Sequence, residues 1–358
     1  MTKEDNQYQR SSTWNEIASQ GAVWQAAIAQ SRDGQIPKEI LSRSSSAREW
    51  LFVGCGTSFY LAEAAAVSWT TLTGEPARPV PASEVLLFPE LFKVGGAPKQ
   101  AVVISRSGRT SEAVRAASAL RKDLRIPTIG ISCAENSLLQ QECDLCMVLG
   151  VADEKSTVMT RSFTSMLLGL QVLAACRADR PQFIDSLLEM SKRLASLLPA
   201  VSEEMRAFVH SHKFADYVFL GQGAFHGIAR EAALKVMEMS CSYSQFFHTL
   251  EFRHGPKAIV SPDTCLTFFL SQTAQRAESE VLSEMKELGG VIVAVCDQAT
   301  DQVRKSADLV IDLNLKGHEL SSLAPFVVPC QLMGFFTGLQ KGLDPDEPKN
   351  LTRVVILD

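Results

Sequence analysis

Between Ile228 and Pro256 the chain reads IAREAALKVMEMSCSYSQFFHTLEFRHGP, with titratable residues at spacings that chemistry can use. A helix-like run sets Glu231, Lys235 and Glu238 on one stripe, because residues three, four and seven apart share a helix face. A short polar loop follows and delivers Glu251, Arg253 and His254. One acid–base candidate on a helix and another on a loop suit the movement of protons. Glu231 and Lys235 read equally well as an ordinary stabilising i, i+4 pair. Glu238 is flanked by Met237 and Met239 in an apolar run, so it is expected to be partly withdrawn from water, as suits a general base. His254 lies between Arg253 and Lys257 in RHGPK. Imidazole titrates nearest neutrality and can give and take a proton, as sugar ring opening requires, although a loop histidine can also simply hydrogen-bond its surroundings. The remaining histidines show no ligand spacing, and no metal site is expected.

Two further stretches carry small residues and hydroxyls. Gly54-Cys55-Gly56-Thr57-Ser58 and Ser105-Arg106-Ser107-Gly108-Arg109-Thr110 each follow a short apolar run and precede a helical one. In open α/β sheets such turns lie beyond the strand ends, where helix N-termini present unpaired N–H groups. Together they could cradle a phosphate monoester through backbone amides, hydroxyls and a guanidinium; the plainer reading is ordinary turn chemistry with Ser and Thr as N-caps. Neither turn is GxGxxG or GxxxxGK[ST], so no dinucleotide or nucleoside triphosphate is implied, and no cofactor is expected. Gly221-Gln222-Gly223 lacks the hydroxyls, so the second half is expected to bind no phosphate of its own.

The elements that must position these residues repeat. Buried-strand runs of four to six apolar residues alternate with helical stretches, the pattern of a doubly wound parallel sheet. EWLFVGCG (49–56) recurs as DYVFLGQG (216–223), VVISRSG (102–108) as TFFLSQT (267–273), PTIGISCA (127–134) as VIVAVCDQ (291–298), and CDLCMVL (143–149) as ADLVIDL (307–313). A constant offset of about 165 residues marks tandem domains. The division read from this pattern is an N-terminal helical segment (1–45), a first domain (46–200), a second domain with the acid–base helix and His loop (201–342), and a tail (343–358).

With 358 residues, 46% of them hydrophobic, the chain can bury two medium-sized cores. A net charge of −5 from 35 basic and 40 acidic residues, mixed throughout, offers no stripe for a phosphate backbone, which argues against nucleic acid. The most apolar windows, Phe163–Cys176 and Leu323–Leu339, fall short of a span of about 20 residues and read as core helices rather than membrane segments. Nine scattered cysteines and a polar opening stretch are expected of a cytoplasmic protein with reduced thiols. Cys143 and Cys146 form a CxxC with no second pair to complete a metal set.

From about residue 45 onward the chain resembles the sugar isomerase (SIS) family, in particular the isomerase half of glucosamine-6-phosphate synthase and its amino-sugar-phosphate relatives. The resemblance rests on CGTS (55–58), SRSGRTSE (105–112), MTRSFTSML (159–167), EAALKVMEMS (231–240), EFRHGP (251–256) and DEPKNLTRVV (346–355), in the family's order. It implies two tandem SIS-type domains, each a flavodoxin-like αβα sandwich. It further implies that Cys55, Gly56, Thr57, Ser58, Ser105, Arg106, Ser107 and Thr110 surround a sugar phosphate, that Glu238 shuttles a proton between C1 and C2 beside Lys235, and that His254 assists ring opening. The family also implies a homodimer in which the His loop crosses to the partner's site, and a tail that closes over the sugar, where Arg353 stands in place of the usual lysine. Arginine keeps the charge but does not readily lose a proton, so its expected role is electrostatic. Arg106 stands where the family has Gln, either as a charge contact or facing solvent. The synthase's N-terminal cysteine nucleophile has no counterpart before Cys55, so the expected activity is deamination and aldose–ketose isomerisation of a hexosamine 6-phosphate rather than glutamine-dependent synthesis. Two alternatives stay open: a fructosamine-6-phosphate deglycase, and a sugar-phosphate sensor without catalysis.

Overall fold

EWLFVG, KQAVVI and TIGIS carry short apolar runs and little charge, the composition of strands covered on both faces. In the computed structural model, which describes residue 8 and residues 10–357, these runs become β1 (Glu49–Gly54), β3 (Lys99–Ile104) and β4 (Thr128–Ser132), buried along nearly their whole length. Edge strands β2 (Ala77–Pro81) and β5 (Leu145–Val148) complete a sheet of order β2-β1-β3-β4-β5. All its neighbours are parallel, with Val53 opposite Val80 on one side and Val103 on the other.

The second half builds the same sheet again. β6 (Asp216–Gly221), β7 (Tyr243–Phe247), β8 (Thr264–Phe269), β9 (Val291–Cys296) and β10 (Leu309–Asp312) pair in parallel in the order β10-β9-β8-β6-β7, the same order read from the other edge. This is the flavodoxin-like order, in which the connections reverse direction at the junction of the first and third strands and ligands gather there. The tandem doubly wound architecture read from the repeat is therefore the one the chain adopts. One core gathers Leu51, Val53, Val103 and Ile126, and the other Val218, Leu266, Val281 and Ile292. Each fully buried aliphatic side chain contributes about 1.5–3 kcal/mol relative to exposure.

Compactness groups the chain into two units. The first takes Ala22–Lys155, Met159–Leu188 and the described residues from Thr352, with β1–β5. The second takes the described residues up to Gly21, Ser156–Val158 and Glu189–Leu351, with β6–β10. The N-terminal segment and the tail are thus each shared between the two.

Two apolar helices form cores. Arg161–Arg177 buries every residue from Ser162 to Ala175 within the first unit. Leu323–Gln340, part of the single helical stretch among the described residues that is long and apolar enough to cross a membrane, has 94% of its apolar window buried. Pro325 sits in its first turn, where no intrahelical N–H is needed. Gly334 and Gly338, four apart on one face, meet the helix Ala224–Ser240: an added Cβ would lie 2.8 Å from the Lys235 carbonyl oxygen and 2.4 Å from that of Met239. All nine cysteines are free, with Cys143 and Cys146 buried.

In the second unit the tail ties back to the start of the chain. The Asp346 carboxylate accepts from Ser12 N at 2.9 Å, Thr13 N at 2.8 Å and Ser11 Oγ at 3.0 Å, so it caps the N-terminus of the helix Ser12–Ala18 from a distant part of the sequence. Burial alone would raise this carboxyl, but the hydrogen bonds from Thr13, Ser12 and Ser11 outweigh it and hold the group below the ordinary carboxylate range. Its stabilisation is accordingly present above about pH 4 and is lost as pH falls through the lowered folded value. Asp346→Ala is expected to lower stability by about 1–2 kcal/mol near neutral pH. The loss should shrink in acid, and denaturant titrations at two pH values check both.

Candidate active site

The helix Ala224–Ser240 begins at Gly223, whose backbone (φ 57°, ψ −126°) repeats that of Gly56 (φ 52°, ψ −126°) at the start of the helix Thr57–Thr73. Both positions lie in the left-handed half of the map that glycine occupies without a Cβ penalty. Along the helix Glu231, Lys235 and Glu238 share a face as their spacing requires. Lys235 is completely buried, and its Nζ lies 3.3 Å from Glu231 Oε1 and 2.5 Å from Glu238 Oε2. Burial pulls this ammonium down, yet the two carboxylates outweigh it and raise it above its ordinary value. The Glu231 side chain is fully buried, whereas that of Glu238 is 18% exposed. Glu238 is therefore the carboxylate of the group that reaches the surface. Its neighbours differ from the expectation: Met237 is 44% exposed, so the close partner of Glu238 is the Lys235 ammonium rather than a methionine enclosure.

The His loop is two short 3-10 turns, Glu251–Arg253 and Pro256–Ile259, anchored by the fully buried Phe252. Arg253 Nε and Lys257 Nζ both grip Glu284, at 2.7 and 2.6 Å, and these hydrogen bonds, Lys257 first, hold the Glu284 carboxyl below its usual range. With its flanking cations drawn to Glu284, His254 stands exposed at the tip, as does Glu251, and Gly255 (φ 116°) turns the chain behind it.

In the first unit the two hydroxyl-rich turns leave the carboxyl ends of β1 and β3, adjacent strands at the reversal of strand order. Thr57, Ser58, Ser105 and Ser107 are buried, Thr110 and Cys55 are partly exposed, and Gly56 is exposed. Ser105 Oγ lies 3.5 Å from Thr110 Oγ1, and Ser107 Oγ accepts from Arg109 N at 3.2 Å. Burial and the nearby Glu112 charge push the Cys55 thiol up to about 12, so it stays a neutral wall rather than a nucleophile.

Arg106 is a charge contact made inward. It is only 4% exposed, its Nη1 lies 3.7 Å from Glu154 Oε2, and its Nη2 donates to the Arg353 carbonyl at 2.8 Å. Arg353 in turn pairs with Asp153 at 2.8 Å and donates to the Glu154 carbonyl. Further along, Ser111 N donates to Val355 O and Leu357 N to Ser111 Oγ, so the tail of the first unit lies along the start of the helix Ser111–Ser118. Glu154, which the sequence reading passed over, is the hub: its carboxylate accepts from Thr160 N (2.8 Å), Thr160 Oγ1 (2.7 Å) and both polar groups of Ser162. The signal available was an acidic residue six and eight positions before a Thr and a Ser that open a helix, a looser relative of the capping box.

The equivalent turns of the second unit differ. Ala224 and Phe225 stand where the first unit has Thr57 and Ser58. After β8, Ser271 gives both its N–H (2.7 Å) and its hydroxyl (3.0 Å) to the buried Glu278 carboxylate. A side chain of the protein thus occupies these donors. Burial raises Glu278 to about 7. A second unanticipated feature is His226 stacked on His248, ring centroids 3.8 Å apart; burial, then His248 and Arg230, bring His226 down to about 4, leaving it neutral at pH 7.

Two measurements follow from these buried charges. Lys235→Met strands Glu231 and is expected to cost about 3–5 kcal/mol in denaturant unfolding. Stability linked to Glu278 is fully present below about pH 4 and lost as pH rises through 7, because folding raises that carboxyl. Glu278→Gln should therefore raise the melting temperature at pH 8 and change it little at pH 5.

The chain is similar in sequence and in structure to several known proteins. Residues 45–176 and 215–337 match the SIS domain, one match on each sheet. Among curated relatives, the glutamine–fructose-6-phosphate aminotransferase (isomerizing) of Pyrobaculum aerophilum is 26% identical over 345 residues, covering 93% of this chain and 56% of that protein. The chain spans about half the length of the curated relatives it matches. Among solved structures, a glucosamine-6-phosphate deaminase from Thermotoga maritima is 28% identical with a TM-score of 0.75, covering 97% of this chain and 100% of that one. Tagatose-6-phosphate ketose/aldose isomerase from Escherichia coli, 22% identical with a TM-score of 0.84 over 98% and 96% of the two chains, shares the fold. With both of its sheets matched and more than half its length covered, the chain belongs to the SIS domain family.

Proposed function

We propose that the chain is a cofactor-independent amino-sugar-6-phosphate deaminase/isomerase. The observation that carries this is the Glu231–Lys235–Glu238 group: a buried ammonium holds two carboxylates, and only Glu238 is exposed to a substrate. The end-to-end likeness to the Thermotoga maritima deaminase supports the choice within the family.

In this reading the turn amides at Cys55 and Gly56, with the hydroxyls of Thr57, Ser58, Ser105, Ser107 and Thr110, bind the sugar phosphate at a helix N-terminus. Arg106 braces the tail through Arg353 and Glu154 instead of adding its charge to the phosphate. His254 helps open the pyranose by passing a proton between ring oxygen and anomeric hydroxyl, and it acts in a cytoplasmic homodimer whose loop serves the partner's substrate. Glu238 then takes the proton from C2 of the open aldose and returns it to C1. The enolamine so formed becomes an imine at C2, water adds there, the C2–N bond breaks, and ammonia and a ketose 6-phosphate leave. Lys235 steadies the negative charge that grows on the substrate oxygen, and Arg353 adds to that field from the tail.

Glu238→Gln keeps the shape and removes the base. Turnover of hexosamine 6-phosphates should fall by about 10³-fold or more while equilibrium binding stays within a few-fold. Ammonia release, ketose formation and exchange of the substrate C2 proton with deuterated water, measured together, check this. Wild-type exchange in the variant would remove Glu238 from the mechanism.

A further inference from the structure

The first unit carries a further concave site, at the edge of its sheet away from the hydroxyl-rich turns. A cleft of about 470 Å³ opens at the amino ends of β1, β3 and β4, with Arg43, Lys93, Lys99 and Arg125 in its walls beside Phe92 and Gln100. β3 separates Lys99 from Ser105, a distance of about 20 Å at 3.3 Å per residue. No Asp or Glu lines the cleft among the described residues, although the protein as a whole has a net charge of −5. Four cations in one concavity repel one another, and a volume of this size accommodates an organic molecule. Two of the four are engaged by the protein itself. Arg43 ends the helix Gln35–Arg43 and pairs with Glu39, while the Lys99 ammonium donates to the Val94 carbonyl at 2.8 Å and shares Glu49 with Arg78, at 3.6 and 3.5 Å. Lys93 and Arg125 are exposed, and no side-chain hydrogen bond or ion pair engages either among the described residues. Arg125 is also held at φ 55°, just beyond a helix end, where Ile126 N reaches back to Leu120 O at 2.8 Å. Glycine is the usual residue in that conformation, because it has no Cβ to strain. The strain at Arg125 is offset by no side-chain contact within the chain, a condition found at ligand clamps.

We propose that this cleft binds a compact small-molecule polyanion, a polyphosphate or a polycarboxylate, at a site separate from the acid–base groups. The Arg125 guanidinium and the Lys93 ammonium take its anionic groups directly, as unpaired donors able to form charge-assisted hydrogen bonds. Arg43 and Lys99, already placed by their own partners, add their field from the walls. The bound anion relieves the repulsion among the four cations and gives the strained arginine its partner.

Isothermal titration calorimetry of the full chain with inorganic tripolyphosphate, citrate and orthophosphate tests this. Tripolyphosphate or citrate is expected to bind at least about tenfold more tightly than orthophosphate and to weaken as salt rises. The tighter of the two identifies phosphate or carboxylate as the anion. Arg125→Gly and Lys93→Ser should each weaken that binding by about tenfold, the scale of one charge-assisted contact. Arg125→Gly is also expected to melt at or above the parent without ligand, since glycine removes the backbone strain, and this separates a lost contact from a lost fold. Arg276→Ser, which removes a 95% exposed cation of the second unit, should change neither the binding nor the melting temperature. Absence of binding by both polyanions at millimolar concentration overturns the inference. So does equal weakening by Arg276→Ser, which reduces the effect to general charge attraction. A loss confined to Ser105→Ala and Thr110→Ala puts the anion in the hydroxyl-rich turns and overturns it as well. An Arg125→Gly chain that melts well below the parent makes the arginine a structural residue, with the same result.

Discussion

Lys235 holds an ammonium where no water reaches it, and that condition organises the helix around it. A lone buried ion costs several kcal/mol, so the charge is tolerable only because Glu231 and Glu238 both approach it. Glu231 is buried with it and cannot swing away; the Glu238 side chain is 18% exposed. The backbone of this segment is fixed from behind by Gly334 and Gly338, whose missing side chains let the core helix come against the carbonyls of Lys235 and Met239. The Glu238 carboxylate is positioned in this way by electrostatics on one side and close packing on the other, without any loop having to order.

The same fold is used twice for different ends. Strand order and the left-handed glycine that starts each first helix are shared, so the backbone at each strand reversal is alike. Side chains then divide the labour. In the first unit the turns keep Thr57, Ser58, Ser105, Ser107 and Thr110 around a helix N-terminus. In the second, Ala224 and Phe225 replace two hydroxyls, and Glu278 supplies an internal carboxylate to Ser271. A hydroxyl-lined turn and a turn satisfied from within differ here by a handful of side chains on one backbone path.

The tail shows how charge is reassigned when a neighbour changes. Arg106 sits in a hydroxyl-rich turn but is drawn inward by Glu154, which also gathers Thr160 and Ser162 at the start of a buried helix. The Arg106 guanidinium then bonds the main chain at Arg353, so one side chain connects the turn, the helix start and the tail of the first unit. At its other end the tail reaches back through Asp346 to cap the helix Ser12–Ala18 of the second unit.

Strand periodicity, the 165-residue offset and the i, i+4, i+7 spacing determined two parallel sheets and a shared face for Glu231, Lys235 and Glu238, because those properties are local or repeat along the chain. Local patterning also marked the glycine turns at residues 54–56 and 221–223. Only the tertiary structure decided which carboxylate is sealed and which is open, since burial depends on what the rest of the fold packs against the helix. It likewise decided that Met237 faces outward and that Arg106 and Arg253 turn to Glu154 and Glu284. The rule behind these differences is that spacing fixes the face a residue occupies, whereas its partner is whatever charge the rest of the fold brings within reach. A sequence states the first and leaves the second to packing.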